Sequence, residues 1–201
     1  MNNLILLDCE QGTDQWRQAR LGIPTASCFK RIMTNAGAAS EQATAYMAEL
    51  LAERITGQPI DGYTSPDMQR GIELEPQARM AYEFESGNTV HQVGGVYLDE
   101  TRQIMCSPDG LIPEQRKGLE IKCPKLSTHI RYILDGILPK EYILQVQGAL
   151  WITGYDSWDF VSYHPDYSPC TTWILTVQRD EKTIAALSKH IRAFAARLEQ
   201  Q

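Results

Sequence analysis

The stretch CSPDGLIPEQRKGLEIKCP, residues 106–124, predicts two β-strands joined by a polar loop. Residues i and i+2 of a strand point to the same face, so Glu120 and Lys122 project together while Ile121 faces the core. A hairpin would bring Asp109, near the end of the first strand, alongside Glu120. The sequence therefore places two carboxylates and one ammonium group close together.

This group of charges is suited to phosphodiester hydrolysis. Two carboxylates that meet at one point repel each other unless a cation compensates. Mg²⁺ prefers a few carboxylates together with waters and phosphate oxygens, which makes Asp109 and Glu120 a candidate metal site. Such a metal would polarise a phosphate and lower the pKa of a water that Lys122 could orient. The same short pattern also fits a surface hairpin with a charge cluster, and the motif alone leaves both interpretations open.

Hydrophobic periodicity along the rest of the chain predicts an α/β (α+β) fold, in which helices flank a central mixed β-sheet. Helices are predicted at 15–21, 28–33, 41–55, 73–85 and 140–152, with a last helix capped by Asp180. Strands are predicted at 89–99, 104–108, 119–123, 158–163 and 171–177. The turn-rich segment 61–67 is the expected mobile segment. No composition shift marks a boundary, so one domain is expected over residues 1–201.

Composition narrows the class of protein. The apolar run Leu4–Leu7 is too short for a signal peptide, and no stretch approaches the roughly 18 apolar residues of a membrane span. A cytoplasmic protein without a membrane partner is therefore expected. Five cysteines without C-x-x-C spacing disfavour a zinc or iron–sulfur site. The net charge of −6 argues mildly against a protein that binds nucleic acid, because phosphates repel an acidic surface. A basic groove can nevertheless coexist with an acidic exterior.

Several blocks of the chain match a known pattern in order and spacing. They are Gln11–Trp16, Arg20–Gly22, Thr25–Ser27, Gly71 with Glu75, Cys106–Leu111, Gly118–Pro124, Gln145–Gln147 and Arg179–Lys182. With the PD-(D/E)-x-K motif at Pro108-Asp109 and Glu120-Ile121-Lys122, the chain resembles the bacteriophage lambda exonuclease (YqaJ-type viral recombinase) family of the PD-(D/E)xK nuclease superfamily. The resemblance implies a restriction-endonuclease-like core and a nuclease that depends on Mg²⁺, with Mn²⁺ as a substitute.

The resemblance also implies roles for the residues of the hairpin. Asp109, Glu120 and the backbone carbonyl of Ile121 would bind the metal, and Lys122 would serve the attacking water. Glu75, on a helix, would lie near a second metal or its waters.

Further residues would contact the DNA. The resemblance implies that Gln147 holds a phosphate or water at the site, and that Met68 wedges open the duplex end. Arg20 and Ser27, with Thr25, would form a pocket for the 5′-terminal phosphate. Arginine offers a bidentate fork to phosphate, and a serine at a helix start adds a hydroxyl and free backbone donors.

The activity implied by the resemblance is processive 5′-to-3′ degradation of one strand of linear double-stranded DNA to mononucleotides. The implied partners are DNA ends, two further copies of the chain in a ring-shaped homotrimer, and a single-strand annealing protein of phage-type recombination, in a bacterial or phage-infected cytoplasm.

Two alternatives stay open. Another PD-(D/E)xK nuclease, such as a restriction-like endonuclease or the nuclease module of a repair helicase, would differ in whether it cuts closed circles. A non-catalytic module that binds DNA ends or an annealing protein would show no metal-dependent cleavage.

Overall fold

A computed structural model describes residues 4–60 and 65–201 of the chain. The helices are α1 (Asp14–Arg20), α2 (Ala43–Thr56), α3 (Pro66–Ser86), α4 (Leu126–Asp135), α5 (Ile143–Thr153) and α6 (Glu181–Glu199). The strands are β1 (Ile5–Leu7), β2 (Gly95–Tyr97), β3 (Met105–Cys106), β4 (Gly110–Ile112), β5 (Lys117–Lys122), β6 (Ser157–Tyr163) and β7 (Thr172–Gln178). Short 3-10 helices span Ala26–Arg31, Pro113–Gln115 and Lys140–Tyr142.

The described strands form two sheets. Strands β4-β5-β6-β7 form a mixed sheet in which β5 and β6 run parallel and the other neighbours antiparallel. Strands β1-β2-β3 form a separate antiparallel sheet. Pro108 lies between β3 and β4 and has no N–H to donate to a ladder. The predicted α/β class, with a mixed sheet flanked by helices, is confirmed, and the three-stranded sheet is an addition to it.

The described core contains two apolar clusters, and the smaller one includes residues of β5. Leu119 and Ile121 pack with Ala78 and Tyr82 of α3. The larger cluster contains most of α5 and the apolar stripe of α6, made up of Ile184, Leu187, Ile191, Phe194 and Leu198. Because side chains alternate along a strand, Glu120 and Lys122 project from the face of β5 that is opposite to Leu119 and Ile121.

Helix α5 approaches the 3-10 helix Ala26–Arg31 closely. A Cβ atom at Gly148 would lie 2.6 Å from the ring of Phe29, a distance that no real contact tolerates. Phe29 is fully buried in this contact. The glycine therefore allows α5 to pack closely against the 3-10 helix that carries Ser27.

Helix α3 begins earlier than the sequence pattern predicts. Residues 61–64 of the expected mobile segment lie outside the described residues, but the helix starts at Pro66 rather than at residue 73. The side chain of Ser65 accepts a hydrogen bond from the amide of Met68, and proline is favoured at the first helical position. Pro76 is accommodated inside the helix, on its exposed side.

Other differences concern short elements. Strand β1 and helix α4 are not among the predicted elements, although Leu126, Ile130 and Ile133 recur in α4 at helical spacing. The strand predicted over 89–99 is confined to Gly95–Tyr97, the residues that pair with β1, of which Val96 and Tyr97 also pair with β3. None of the described helices combines the length and apolarity that a membrane crossing needs.

Candidate active site

The hairpin of β4 and β5 brings Asp109 opposite Glu120. The two strands pair with Gly110 opposite Leu119, and the amide of Asp109 donates to the carbonyl of Leu119 over 3.1 Å. The carboxylate oxygen Oδ2 of Asp109 accepts a hydrogen bond of 2.6 Å from the amide of Ile121. The backbone of β5 therefore fixes the direction of this carboxylate.

Glu120 and Lys122 contact each other on the face of β5 opposite to Leu119 and Ile121. Glu120 is 3% exposed, forms an ion pair with Nζ of Lys122, and accepts a hydrogen bond of 2.6 Å from Nε2 of Gln145 on α5. Burial raises the pKa of Glu120 to about 7 and also raises the pKa of Asp109. Burial opposes the charge of Lys122, but the negative charges of Glu120 and Asp109 raise the pKa of Lys122 overall.

These two carboxylates are a donor set that fits a divalent cation. Burial disfavours the charged forms of Asp109 and Glu120, and a cation between them would compensate both. Burial, followed by the charge of Asp109, also raises the pKa of Glu75, but the Glu75 carboxylate accepts a 2.5 Å hydrogen bond from Arg79. In the part of the chain that the structure describes, no three His, Cys, Asp or Glu side chains form a ready metal cluster. Two carboxylates are the small number that Mg²⁺ prefers.

A cleft of about 180 Å³ connects the hairpin with α1 and with the 3-10 helix Ala26–Arg31. This first cleft has walls that include Arg20, Ser27, Asp109, Glu120, Lys122 and Gln145. The structure thus brings the two residues of the expected phosphate pocket into one space with the carboxylates and the lysine.

The guanidinium group of Arg20 is held on two sides within this cleft. Its Nη1 donates to Oγ of Ser107 over 2.6 Å, and its central carbon lies 4.3 Å from the centre of the Trp16 ring. Burial lowers the pKa of Arg20. No carboxylate of residues 4–60 or 65–201 forms an ion pair with it. A partly buried cation at a cleft, with no carboxylate partner among the described residues, is suited to bind an anion.

Ser27 and Thr25 lie at the start of the same 3-10 helix. Ser27 is exposed to the cleft, and its Oγ lies 3.2 Å from Oγ1 of Thr25. Thr25 itself is 5% exposed and is not part of the cleft wall. Thr25 therefore supports Ser27 rather than facing the cleft directly.

A second cleft, of about 380 Å³, shares Asp109 and Lys122 with the first. Its walls include Met68 and Glu75 of α3 on one side, and the end of β5 with Tyr142 on the other. Met68 is 56% exposed at this wall. The structure therefore places the sequence-predicted Met68 and Glu75 across a cleft from the end of β5.

Gln147 is not brought to either cleft. Its side chain is 4% exposed, with Nε2 donating to the carbonyl of Gln178 and Oε1 accepting from the amide of Asp180. Gln147 thus ties α5 to the connection between β7 and α6. The expectation that its amide serves the site is corrected by this geometry: Gln145, two residues earlier, contacts Glu120 in its place.

The sequence pattern does not distinguish the two glutamines, because both stand on a helix in the block Gln145-Val146-Gln147. Residues i and i+2 of an α-helix point in directions about 200° apart around its axis, so only one of the two glutamines can face the cleft. Ala149, one turn after Gln145, lines the first cleft as well. Gln11 is a further residue that the sequence indicates only as part of a block: its Nε2 donates to the carbonyls of Val93 and Pro108, over 2.9 and 2.8 Å.

Comparison with solved structures gives a close match over nearly the whole chain. An alkaline exonuclease from Laribacter hongkongensis, LHK-Exo, is 38% identical, with a TM-score of 0.84 over 94% of this chain and 93% of that one. Its structure in complex with dAMP matches equally well. A phage-related exonuclease from Haemophilus somnus 129PT shares the fold at 17% identity, with a TM-score of 0.69 over 89% of this chain and 94% of that one.

Sequence comparison identifies the same relationship. The Escherichia coli (strain K12) protein ExoD is 27% identical over 63 residues, which are 31% of this chain and 72% of that protein. The model of the YqaJ-like viral recombinase domain matches residues 15–156, a range that contains Arg20, both walls of the second cleft and the hairpin. The chain therefore belongs to the YqaJ-like viral recombinase domain family.

Proposed function

We propose that this protein, a DNA exonuclease of the YqaJ-like family, uses Mg²⁺ to degrade one strand of linear double-stranded DNA from its 5′ end. Mononucleotides would be released processively, and the remaining strand would serve recombination by annealing. The observation that carries this proposal is a single cleft that contains Asp109, Glu120 and Lys122 together with the guanidinium group of Arg20.

Asp109 and Glu120, with the backbone carbonyl of Ile121, would hold the metal. When bound, Mg²⁺ supplies a Lewis acid that polarises the phosphate and lowers the pKa of a water, and Mn²⁺ could substitute. The ammonium group of Lys122 has three N–H donors, of which Glu120 takes one. The remaining donors are available to orient the attacking water or a phosphate oxygen. Gln145 keeps Glu120 in place through its hydrogen bond of 2.6 Å.

Arg20 and Ser27 would bind the terminal 5′-phosphate in the first cleft. Ser107 and Trp16 fix the plane of the Arg20 guanidinium, so that its remaining N–H groups can meet phosphate oxygens. A phosphate held there limits how much of the strand extends beyond the carboxylates. Release of mononucleotides is supported by the dAMP complex of LHK-Exo, whose bound molecule is a nucleoside 5′-monophosphate.

Met68 and Glu75 would act from the second cleft. An exposed methionine at the cleft wall can separate the last base pairs of a duplex by inserting an apolar side chain. Glu75, close to Asp109 but hydrogen-bonded to Arg79, would serve a second metal or its waters after a change of partner. We further propose that three copies of the chain form a ring around the DNA, and that the protein acts together with a single-strand annealing protein.

Digestion of DNA of defined topology tests the proposal. Linear duplex with 5′-phosphate or 5′-hydroxyl ends, nicked circles and closed circles would each be incubated with the full chain, with Mg²⁺ or with EDTA. The expected result is Mg²⁺-dependent release of mononucleotides from linear duplex, faster from phosphorylated ends, and no cleavage by Lys122→Ala. Cleavage of closed circles would favour another PD-(D/E)xK nuclease instead. Absence of any metal-dependent cleavage would favour the non-catalytic binding module.

A further inference from the structure

The first half of α3 forms a wall of the second cleft without being anchored in the core. The buried side chains of this described helix are Ala78 and Tyr82, both in its second half. Met68 and Ile72, in the first half, are 56% and 60% exposed. The position of this wall relative to β5 therefore depends on polar contacts rather than on apolar packing.

Arg70 makes three polar contacts between this wall and the residues that follow β5 and β6. Its Nη1 donates to the carbonyls of Cys123 and Pro124, over 3.1 and 3.0 Å, and these residues directly follow Lys122. Its Nη2 lies 2.9 Å from Nε2 of His164, directly after β6. A guanidinium group can only donate, so Nε2 of His164 must accept in this contact.

We propose that Arg70 is a positioning residue that sets the width of the second cleft by holding the start of α3 against the chain that leaves β5. This inference rests on the proposed function, in which the duplex end is opened across that cleft. Lysine cannot replace the contact fully, because one ammonium nitrogen cannot reproduce the planar fork that reaches two carbonyls and an imidazole.

A second contact joins the same two segments and provides a matched control. Nζ of Lys125 lies 2.9 Å from the carboxylate of Asp67, and the two side chains are 68% and 62% exposed. Exposed ion pairs of this kind contribute little to stability because solvent screens them. Removal of Lys125 should therefore leave the cleft wall in place.

The proposal predicts a selective loss of activity. A duplex end must be opened in the second cleft, whereas a 5′-phosphorylated single strand needs only the first cleft and the carboxylates. Arg70→Ala should lower kcat/KM on blunt duplex by about tenfold to a hundredfold, the scale of a misplacement of about 1 Å. On the single strand the same variant should stay within about threefold of the wild type, since none of the groups in the first cleft changes.

The experiment compares kcat and KM on both substrates for the wild type, Arg70→Ala, Arg70→Lys, His164→Gln and Lys125→Ala, each with its thermal unfolding curve. Arg70→Lys should fall between the wild type and Arg70→Ala on duplex, and His164→Gln, which keeps an acceptor, should stay near the wild type. Amide hydrogen exchange should be faster over residues 65–77 in Arg70→Ala and unchanged in β5 and β6.

Two results would overturn the inference. Equal losses on duplex and single strand would show a merely structural contribution, and unchanged activity on both would show no contribution at all. If Arg70→Ala does not fold, the ratio of duplex to single-strand activity in Arg70→Lys and Arg70→Gln decides in the same way. A wild-type protein that degrades neither substrate would contradict the proposed function itself, and this outcome is visible before any variant is compared.

Discussion

At the scale of single residues, the two glutamines of α5 have different surroundings and should fail in different ways. Gln145→Ala removes the hydrogen bond to Glu120. It should lower kcat by about tenfold to a hundredfold, as is typical when a partner of a metal ligand is lost, with little change in stability. Gln147→Ala leaves the carbonyl of Gln178 and the amide of Asp180 unpaired, and should lower the free energy of unfolding by about 1–3 kcal/mol. Steady-state kinetics and urea unfolding of both variants check this. A Gln147→Ala variant that is inactive but as stable as the wild type would contradict this prediction.

Arg20 offers a second prediction for a single residue. Arg20→Gln should remove most of the preference for a 5′-phosphate over a 5′-hydroxyl end, because a charge-assisted hydrogen bond is lost. The ratio of the two rates should fall by about tenfold to a hundredfold. Arg17→Gln is the matched control: Arg17 lies on the same helix, but its side chain is 52% exposed and pairs with Asp14. An equal loss of preference in both variants would point to general charge attraction rather than to a pocket.

At the scale of elements, the close approach of α5 to the 3-10 helix Ala26–Arg31 should not tolerate a side chain at Gly148. Gly148→Ala places a methyl group 2.6 Å from the buried ring of Phe29, and should lower the free energy of unfolding by about 1–3 kcal/mol. Gly71→Ala, inside α3 with no atom within 4 Å of the new Cβ, should instead be neutral or stabilising by up to about 1 kcal/mol. Thermal and urea unfolding measure both. A Gly148→Ala protein as stable as the wild type would mean that the two helices can move apart.

The elements also show what periodicity can and cannot predict. The hairpin, α5, β6, β7 and α6 were predictable because each has a regular apolar pattern of its own. Strand β1 was not, because its three residues become a strand only by pairing with β2. The start of α3 depends on the cap at Ser65, inside a segment whose composition indicates a turn. The choice between Gln145 and Gln147 depends on the rotation of α5, which packing against Phe29 sets and which sequence spacing does not.

At the scale of the whole molecule, the net charge of −6 has to be reconciled with a polyanionic substrate. Arg20 and Lys122 face the first cleft and can contact phosphate oxygens there, beside the carboxylates of Asp109 and Glu120. The chain as a whole nevertheless repels DNA at long range, and a subunit that acted alone should dissociate readily between steps. A single domain over residues 1–201 stays a prediction, as does the ring. A closed ring would resolve the conflict, because it retains the strand by enclosure rather than by charge.

The ring predicts that degradation continues when rebinding is prevented. The full chain would be bound to a long end-labelled duplex without Mg²⁺, and the reaction would then be started with Mg²⁺ and a large excess of unlabelled duplex. Enclosure should allow hundreds of nucleotides to be released from each bound molecule, with little change as ionic strength rises from about 50 to 200 mM, a range over which charge-based DNA affinity falls by orders of magnitude. Light scattering after gel filtration should give three times the mass of one chain. A monomeric mass, with degradation arrested by the competitor, would contradict the ring while leaving the assignments of Asp109, Glu120 and Lys122 untouched, because those residues lie within a single chain.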